Sequence, residues 1–447
     1  MPRAPHIVAG LPRTRHRILE IPGPRGPETP RKGSTVPVEV FHGAGIDVHK
    51  ESVGVTIRHQ GPDQLTTSRQ ETRTFGTLTD NLHALQAWLR AEGITHVLME
   101  STGSYWKPLY NLLETTCVVW LVNPAHVKAL RGRKTDVKDS QWLAELLTFG
   151  LVVPRFIPDR PQRELREAVR YRRSLIEERA REVNRIQKVL EGGNIKLGSV
   201  ISDVLGISGR AMLQALAQGE EDVARLAALA DPRIRASADL LARALTGLMG
   251  GHQRWMLRTQ LQHLVELEAH IAEADREIAE RTRPFEDARQ LVESITGVKD
   301  RVADVVLAEV GPTITPFPSP EALAKWTGVA PGNKASGGKR LSGKTTPGNK
   351  ALRTALIEAA RAASHSKNTY LGAQYRRLVP RLGPKRAALA VAHSICQRIW
   401  IVLDRGEPYA DLGGDYFLQR DQEATKRKAL RSLEGLGYQV TLASRVS

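Results

Sequence analysis

The sequence predicts an α/β domain followed by a mainly helical spacer and a helical, basic C-terminal domain. Three observations carry that reading. Across residues 43–124, short β-patterned runs alternate with stretches of helical periodicity, the order of a layered α/β domain. From residue 161 onward the apolar positions recur almost entirely at helical spacing. The chain of 447 residues, long enough for two or three domains, has a formal net charge of +17 and a pI of about 10.0. That balance points to a polyanionic partner, most economically nucleic acid.

Residues 1–41 hold eight prolines, seven basic residues and little apolar periodicity, which predicts a disordered basic arm outside the fold. The segment AGIDVHKESVGVTIRH then alternates Ile46, Val48, Val53, Val55 and Ile57 with other positions, a strand or hairpin pattern. Asp47 falls inside it, and a carboxylate in a core strand is costly unless paired or metal-bound. His49 faces the same side by period two, either as a supporting or phosphate contact or as a satisfied core histidine. Residues 73–75 read as strand, and residues 78–90 as a helix with Leu82, Leu85, Trp88 and Leu89 on one face. ITHVLM is a short strand ending directly in Glu100; a helix over 105–114 and the strand CVVWLVNP follow.

The domain is organised around residues 131–147, RGRKTDVKDSQWLAELL. Asp136 and Asp139 lie three apart, on one face of a helix that Trp142, Leu143, Leu146 and Leu147 continue. Lys128, Arg131, Arg133, Lys134 and Lys138 crowd around the pair. Acids at a helix start also serve capping and the helix dipole, so the pair alone decides little. Asp47 in a strand and Glu100 at a strand end add weight, because all four acids can then meet at one edge of a sheet. Such a set suits one or two Mg²⁺, which prefers oxygen ligands, and two-metal sites for phosphoryl transfer hold their ions roughly 3.5–4 Å apart.

Beyond this, residues 161–191 predict a charged helix with a broken stripe of Leu165, Val169, Leu175, Ile176, Val183, Ile186 and Val189. Its arginines would either track a backbone or coat a solvated face. Residues 200–250 are Ala/Leu-rich and helical, without evident chemistry. In residues 255–279, Leu257, Leu264, Ile271 and Ile278 recur at sevens, while the companion seam runs Leu261, Glu268, Asp275. That pattern fits an imperfect, even intermolecular, coiled coil or an amphipathic helix in a bundle.

The C-terminal part opens at Ser294-Ile-Thr-Gly-Val-Lys with a helix, a Gly turn and a helix, a loose helix-hairpin-helix pattern whose amides would hold phosphate. From residue 322 to 403 the only acid is Glu358, against fifteen Lys and Arg, which reads as a phosphate-binding surface. Within it, Ser336 precedes Gly337 and Gly338 among Lys334, Lys339 and Arg340, with Lys344, Lys350 and Arg353 further along. Glycine lets a phosphate come close and the cations would stabilise a phosphoryl transition state, although a phosphate-binding loop with no nucleophile has the same composition. Ser342, also followed by glycine, competes with Ser336. Residues 350–363 and 387–403 predict core helices, and residues 411–447 a polar tail. Cys117 and Cys396 stand alone in apolar or helical surroundings, as core thiols in a reducing cytosol, and no run of about 18 apolar residues predicts a membrane span.

GIDVHK, VLMESTGSYW and NPAHVKALRGRKTDVKDSQWLAELL resemble the RuvC-like N-terminal domain of DEDD insertion-sequence transposases, a family that includes the Piv invertases and bridge-RNA-guided recombinases. WTGVAPGNKASGGKRLSGKTTPGNKALRTALIEAARAA is similar to the C-terminal domain of that family. The resemblance implies a RuvC/RNase-H-like fold, with the DEDD positions at Asp47, Glu100, Asp136 and Asp139 and a serine nucleophile at Ser336. It also implies dimers or tetramers in the cytoplasm, at the nucleoid, acting on element ends and target DNA, with a structured RNA choosing the sites. The expected layout is an arm at 1–41, a catalytic domain at 42–155, a spacer at 156–285, a basic serine domain at 286–410 and a tail at 411–447. Two other readings of the same residues are a hydrolytic, metal-dependent junction endonuclease and a non-catalytic nucleic-acid-binding protein.

Overall fold

The computed structural model describes residues 40–61, 67–101, 103–122, 127, 139–152, 154, 156–332, 334–337, 339–345 and 347–441. The arm expected over residues 1–41 therefore lies almost wholly outside the described residues. Two compact units are present, Met1–Arg155 and Phe156–Ser447.

In the first unit, β1 (His42–Val48), β2 (Ser52–Gln60) and β3 (Thr67–Gly76) form an antiparallel meander. On the other side of β1 lie β4 (His96–Glu100), parallel to it, and β5 (Val118–Val122), parallel to β4. The resulting mixed sheet has the order β3-β2-β1-β4-β5 and agrees with the α/β expectation, including the RuvC-like form. The strand period decides which helix covers which face. Phe75 pairs with Val53 and Val53 with Val48, so these three share the face of Ile46. The helix α1 (Thr79–Ala91) lies on that face, where Phe75 and Trp88 bring their rings 5.6 Å apart. α2 (Trp106–Leu113) links β4 to β5.

The opposite face takes α3 (Asp139–Thr148), whose Leu143, Leu146 and Leu147 pack with Leu98 and Val122. Gly45 permits that docking: a methyl group there would lie 2.1 Å from the Ser140 carbonyl oxygen and 2.2 Å from the Ala144 amide nitrogen. Both neighbours are helix backbone, so no side-chain rotation relieves the clash. The Thr56 hydroxyl holds the helix from β2, 2.9 Å from the Ser140 hydroxyl and 2.9 Å from that of Thr72. A Gly45→Ala substitution is expected to destabilise the first unit by about 1–3 kcal/mol or more through overpacking. Gly43→Ala, which first meets the Leu147 side chain at 2.9 Å, should cost less. Denaturant unfolding of the two variants, followed by tryptophan fluorescence, checks the order.

In the second unit two long helices, α4 (Arg160–Gly192) and α8 (Gly251–Thr282), run antiparallel. The pairing is legible in the core clusters. Leu165 and Val169 meet Ile278, Leu175 meets Leu267 and Ala274, and Ile186 and Leu190 meet Leu257, Leu261 and Leu264. The heptad stripe of α8 thus faces a helix of the same chain, where the sequence also left an intermolecular partner open. Glu268 and Asp275, the two acids in its companion seam, pair with arginines. Arg179 reaches Glu268 at 2.8 Å and Arg210 at 2.7 Å, while Arg172 and Arg301 meet Asp275. Those guanidiniums, Arg210 first, hold the Glu268 carboxyl below the usual carboxylate range. The arginines of α4 that meet these acids therefore neither track a backbone nor merely coat a solvated face.

Three helices, α5 (Ile207–Gln218), α6 (Val223–Ala228) and α7 (Ala238–Leu245), fill the far end of the pair around Met212, Leu213 and Leu216. The remaining helices are α9 (Glu286–Glu293), α10 (Asp300–Glu309), α11 (Pro320–Thr327), α12 (Lys350–His365), α13 (Tyr370–Leu382) and α14 (Pro384–Arg405). They share a core of Ile295, Val306, Leu356, Ala360, Val391, Ile395 and Ile399. Leu165, Val169 and Ile278 of the long helices also pack on Leu307 and Ala308, within the second compact unit.

α14 is long and apolar enough to cross a bilayer by length and composition, although His393, Gln397 and Arg398 interrupt its apolar residues, and its buried residues belong to this core. Cys396 lies within it, where burial pushes the thiol up to about 12. The polar tail carries two helices: α15 (Tyr416–Arg420) stacks Phe417 on Tyr370 and sets Tyr416 edge-on against it, and α16 (Gln422–Gly435) follows.

Candidate active site

The β1–β4 register brings two of the expected acids together. Ile46 pairs with Met99 in a parallel ladder, so Asp47 and Glu100, one step on, stand side by side at the strands' carboxyl ends. Side chains two apart on a strand share a face. Gly45 and Leu98 lie on the α3 side, and Asp47 and Glu100 therefore do too. Asp139 opens α3, one residue before the Ser140 carbonyl that sits on Gly45. Three of the four acids thus belong to one face and one end of the sheet, the place where open α/β sheets bind their ligands.

Local contacts fix this edge. The Ser101 N–H and hydroxyl both donate to the Val122 carbonyl, at 3.1 and 3.2 Å, and pin the chain just past Glu100. Asp47 and His49 are 2.9 Å apart, and His49 is 65% exposed against 28% for Asp47. His49 is accordingly a surface partner of Asp47 and not a buried core histidine. Asp136, Arg131, Arg133 and Lys134 lie outside the described residues. Among the described residues no three His, Cys, Asp or Glu side chains close on one point as a metal cage. The donor chemistry nevertheless fits a hard cation, since every candidate ligand is a carboxylate. Sequence reasoning missed Gly45, Thr56 and Ser140, which set the α3 helix against β1; the glycine two before Asp47 was the available signal.

The second unit holds the serines. β6 (Lys334–Ser336) and β7 (Lys339–Ser342) form a hairpin closed by the Ser336–Lys339 pair, with Gly337 in left-handed backbone at φ +55°. Ser336 therefore stands at the tip and Ser342, opposite Lys334, at the base. Two other glycines bring the legs in. A methyl on Gly332 would meet the Lys344 carbonyl at 2.3 Å, and one on Gly348 the Gly328 amide at 2.4 Å. The helix–turn–helix expected at residues 294–299 is present as α9 and α10, with Gly297 at φ +88°. A methyl there would strike the Ala359 carbonyl at 2.4 Å, so the Gly297 Cα backs onto α12.

The cations divide into two populations. Arg166, Arg170, Arg172, Arg179 and Arg281 of the long helices each meet a carboxylate. Lys350, Arg353 and Arg361 share one side of α12 by helical spacing, opposite its buried Leu352, Ala359 and Ala363, and among the described residues have no ion-pair partner. Lys344 is exposed beside the hairpin.

An acid-edged mixed sheet joined to a helical body with unneutralised cations is the architecture of a protein that works on nucleic-acid phosphates, and the comparisons identify which kind. A DEDD transposase family model of the IS110 type matches residues 44–195, and the transposase IS116/IS110/IS902 family matches residues 289–376. The chain is similar to the transposase for insertion sequence element IS1111A of Coxiella burnetii (strain RSA 493 / Nine Mile phase I). The two are 28% identical over 296 residues, 65% of this chain and 72% of the relative. It is also similar to the putative transposase y4pF/y4sB of Sinorhizobium fredii (strain NBRC 101917 / NGR234), 27% identical over 304 residues, 66% of this chain and 69% of the relative. The chain belongs to the IS110 family of insertion-sequence transposases.

Proposed function

We propose that this transposase cuts and rejoins DNA through a covalent phosphoserine at Ser336, with Asp47, Glu100, Asp136 and Asp139 holding one or two Mg²⁺. The observation that carries the reading is the shared face and strand end of Asp47, Glu100 and Asp139. Bound there, Mg²⁺ would supply charge neutralisation at the phosphate and at the departing oxygen. The chain's own part is to place the nucleophile and the substrate. The Ser336 hydroxyl gives up its proton and attacks a DNA phosphorus; the serine oxygen–phosphorus bond forms, the bond from that phosphorus to one sugar oxygen breaks, and the sugar oxygen takes up a proton and leaves as the free hydroxyl of the released strand. One phosphodiester is exchanged for another of similar energy, so a second hydroxyl can reverse the step and rejoin strands without ATP. Lys334, Lys339, Arg340, Lys344, Lys350 and Arg353 would hold the flanking backbone, and Arg131, Arg133 and Lys134 the phosphates near the acids. Assembly as a dimer or tetramer, and selection of donor and target DNA by a structured RNA, rest on the family resemblance alone.

The test is a suicide substrate, a nicked element end whose leaving strand diffuses away after cleavage. Labelled DNA should become attached to the protein in a Mg²⁺-dependent manner, and peptide mapping should place it on Ser336. Cleavage with no protein-linked product would make water the nucleophile and overturn the serine reading.

A further inference from the structure

The long helix α4 and the start of α12, which follows the serine hairpin in the chain, meet at one buried carboxylate, Glu309, at the end of α10, which is 0% exposed. Arg170 binds it through two parallel contacts of 2.8 and 2.9 Å, and Arg166 approaches it at 3.2 Å while donating to the Glu309 carbonyl at 2.9 Å. The third partner is Asn349, whose Nδ2 donates to Glu309 Oε2 at 2.7 Å. Asn349 also caps α12, its Oδ1 accepting from the Leu352 N–H at 3.1 Å, and its own N–H donates to the Trp326 carbonyl at 3.1 Å. One residue earlier, Gly348 is pressed against Gly328. The start of α12 is therefore tied to the α4 arginines through the Asn349–Glu309 pair, and Arg173 of α4 adds a second tie nine residues on, 3.0 Å from Glu358.

We infer that Glu309 is a positioning residue which, through Asn349, fixes the base of the Ser336 hairpin against α4. A buried charge of this kind is expensive unless fully partnered, and here three hydrogen bonds and the Arg166 ion pair converge on it. Ordinary helix packing already joins α10 to α4 through Leu165, Val169 and Leu307, so cohesion alone does not require the carboxylate. Beyond that packing, the carboxylate reaches Asn349, which caps α12 at the end of the segment that leads out of the hairpin. Its role in strand transfer rests on the serine reading above, whereas its mechanical role does not.

The test uses Asn349→Ser in the full chain. Serine is a good helix cap, so α12 keeps its first turn, but the hydroxyl is too short to reach Glu309 while capping. Hydrogen exchange of residues 334–342 should quicken about tenfold, the size of one lost hydrogen bond to a carboxylate, with α10 and the rest of α12 unchanged. In the suicide-substrate assay the rate of covalent attachment at saturating DNA should fall by a similar factor, with the half-saturating DNA concentration unmoved. Unchanged hairpin exchange, or exchange that quickens equally throughout α10 and α12, would overturn the positioning role. Faster hairpin exchange with an undiminished attachment rate would overturn its part in strand transfer. A parent protein that forms no adduct refutes the serine reading instead, and the exchange result still decides the mechanical one.

Discussion

Asp47→Asn is expected to reduce Mg²⁺-dependent DNA cleavage by roughly 10²–10³-fold or more, while DNA affinity and the unfolding midpoint hold. The magnitude is that of deleting one electrostatic contact to the reacting phosphate, and a lost metal ligand should do no less. Asparagine has the shape of aspartate, so Ile46 and Val48 stay buried, Gly54 stays opposite and the Ser140 backbone stays on Gly45. The amide can still hydrogen-bond the exposed His49. Only the negative charge is removed from an edge where Glu100 and Asp139 contribute two more, so without metal the variant should be as stable as the parent or slightly more so. Glu51, an exposed acid in the turn after β1, provides the control, and Glu51→Gln should cleave at the parental rate. Cleavage assays across a Mg²⁺ titration, beside thermal unfolding, read out both halves. Full cleavage by Asp47→Asn would remove the acid site from the mechanism.

Much of the first unit was legible in the sequence because its strands are short, apolar and separated by clear turns. Strand β4 could be placed so that Glu100 ended it, and Leu82, Leu85, Trp88 and Leu89 named the buried side of α1. What could not be read was register. The adjacency of Asp47 and Glu100 depends on Ile46 meeting Met99, a pairing between segments about fifty residues apart that no local pattern encodes. The seat of α3 on Gly45 was hidden for a related reason, since a glycine marks close approach without naming what approaches.

The long helices hid their partners for a different reason. Glu268 and Asp275 read as breaks in a heptad seam, because apolar partners are the ordinary occupants of such positions. Their partners are arginines that lie far along the chain, Arg179 and Arg210 for the first, Arg172 and Arg301 for the second. Charge pairing at this range leaves no periodic trace. The same pairing separates α4 from the C-terminal cations: both stretches are rich in arginine, but α4 finds acids at matching positions on α8 and at Glu309 of α10. Among the described residues Lys350, Arg353 and Arg361 face no such row, and composition alone had already marked residues 322–403 as poor in acids.

Ser336→Ala is expected to abolish covalent attachment to DNA, whereas Ser342→Ala should retain at least about a tenth of it. Sequence spacing could not rank the two, as each serine is followed by glycine and flanked by cations. Hairpin register ranks them. Ser336 closes the turn and leads directly into Gly337, whose left-handed backbone places no side chain beside it. Ser342 pairs with Lys334 at the base, next to legs that Gly332 and Gly348 draw against neighbouring backbone. A nucleophile must reach a phosphate embedded in a bulky duplex, which favours the tip over the base. Alanine at Ser336 removes the attacking oxygen and leaves the paired strands and the turn glycine in place, so DNA binding should persist with an unchanged salt dependence. Cysteine at the same position offers a further discrimination: a thiol can form a phosphothioester, so slow attachment by Ser336→Cys beside none by Ser336→Ala would mark direct attack. Covalent product from Ser336→Ala at the parental rate, mapped to Ser342, would move the nucleophile to the base of the hairpin. Cleavage by Ser336→Ala without any protein–DNA bond would leave the acid edge as a hydrolytic site with water as its nucleophile.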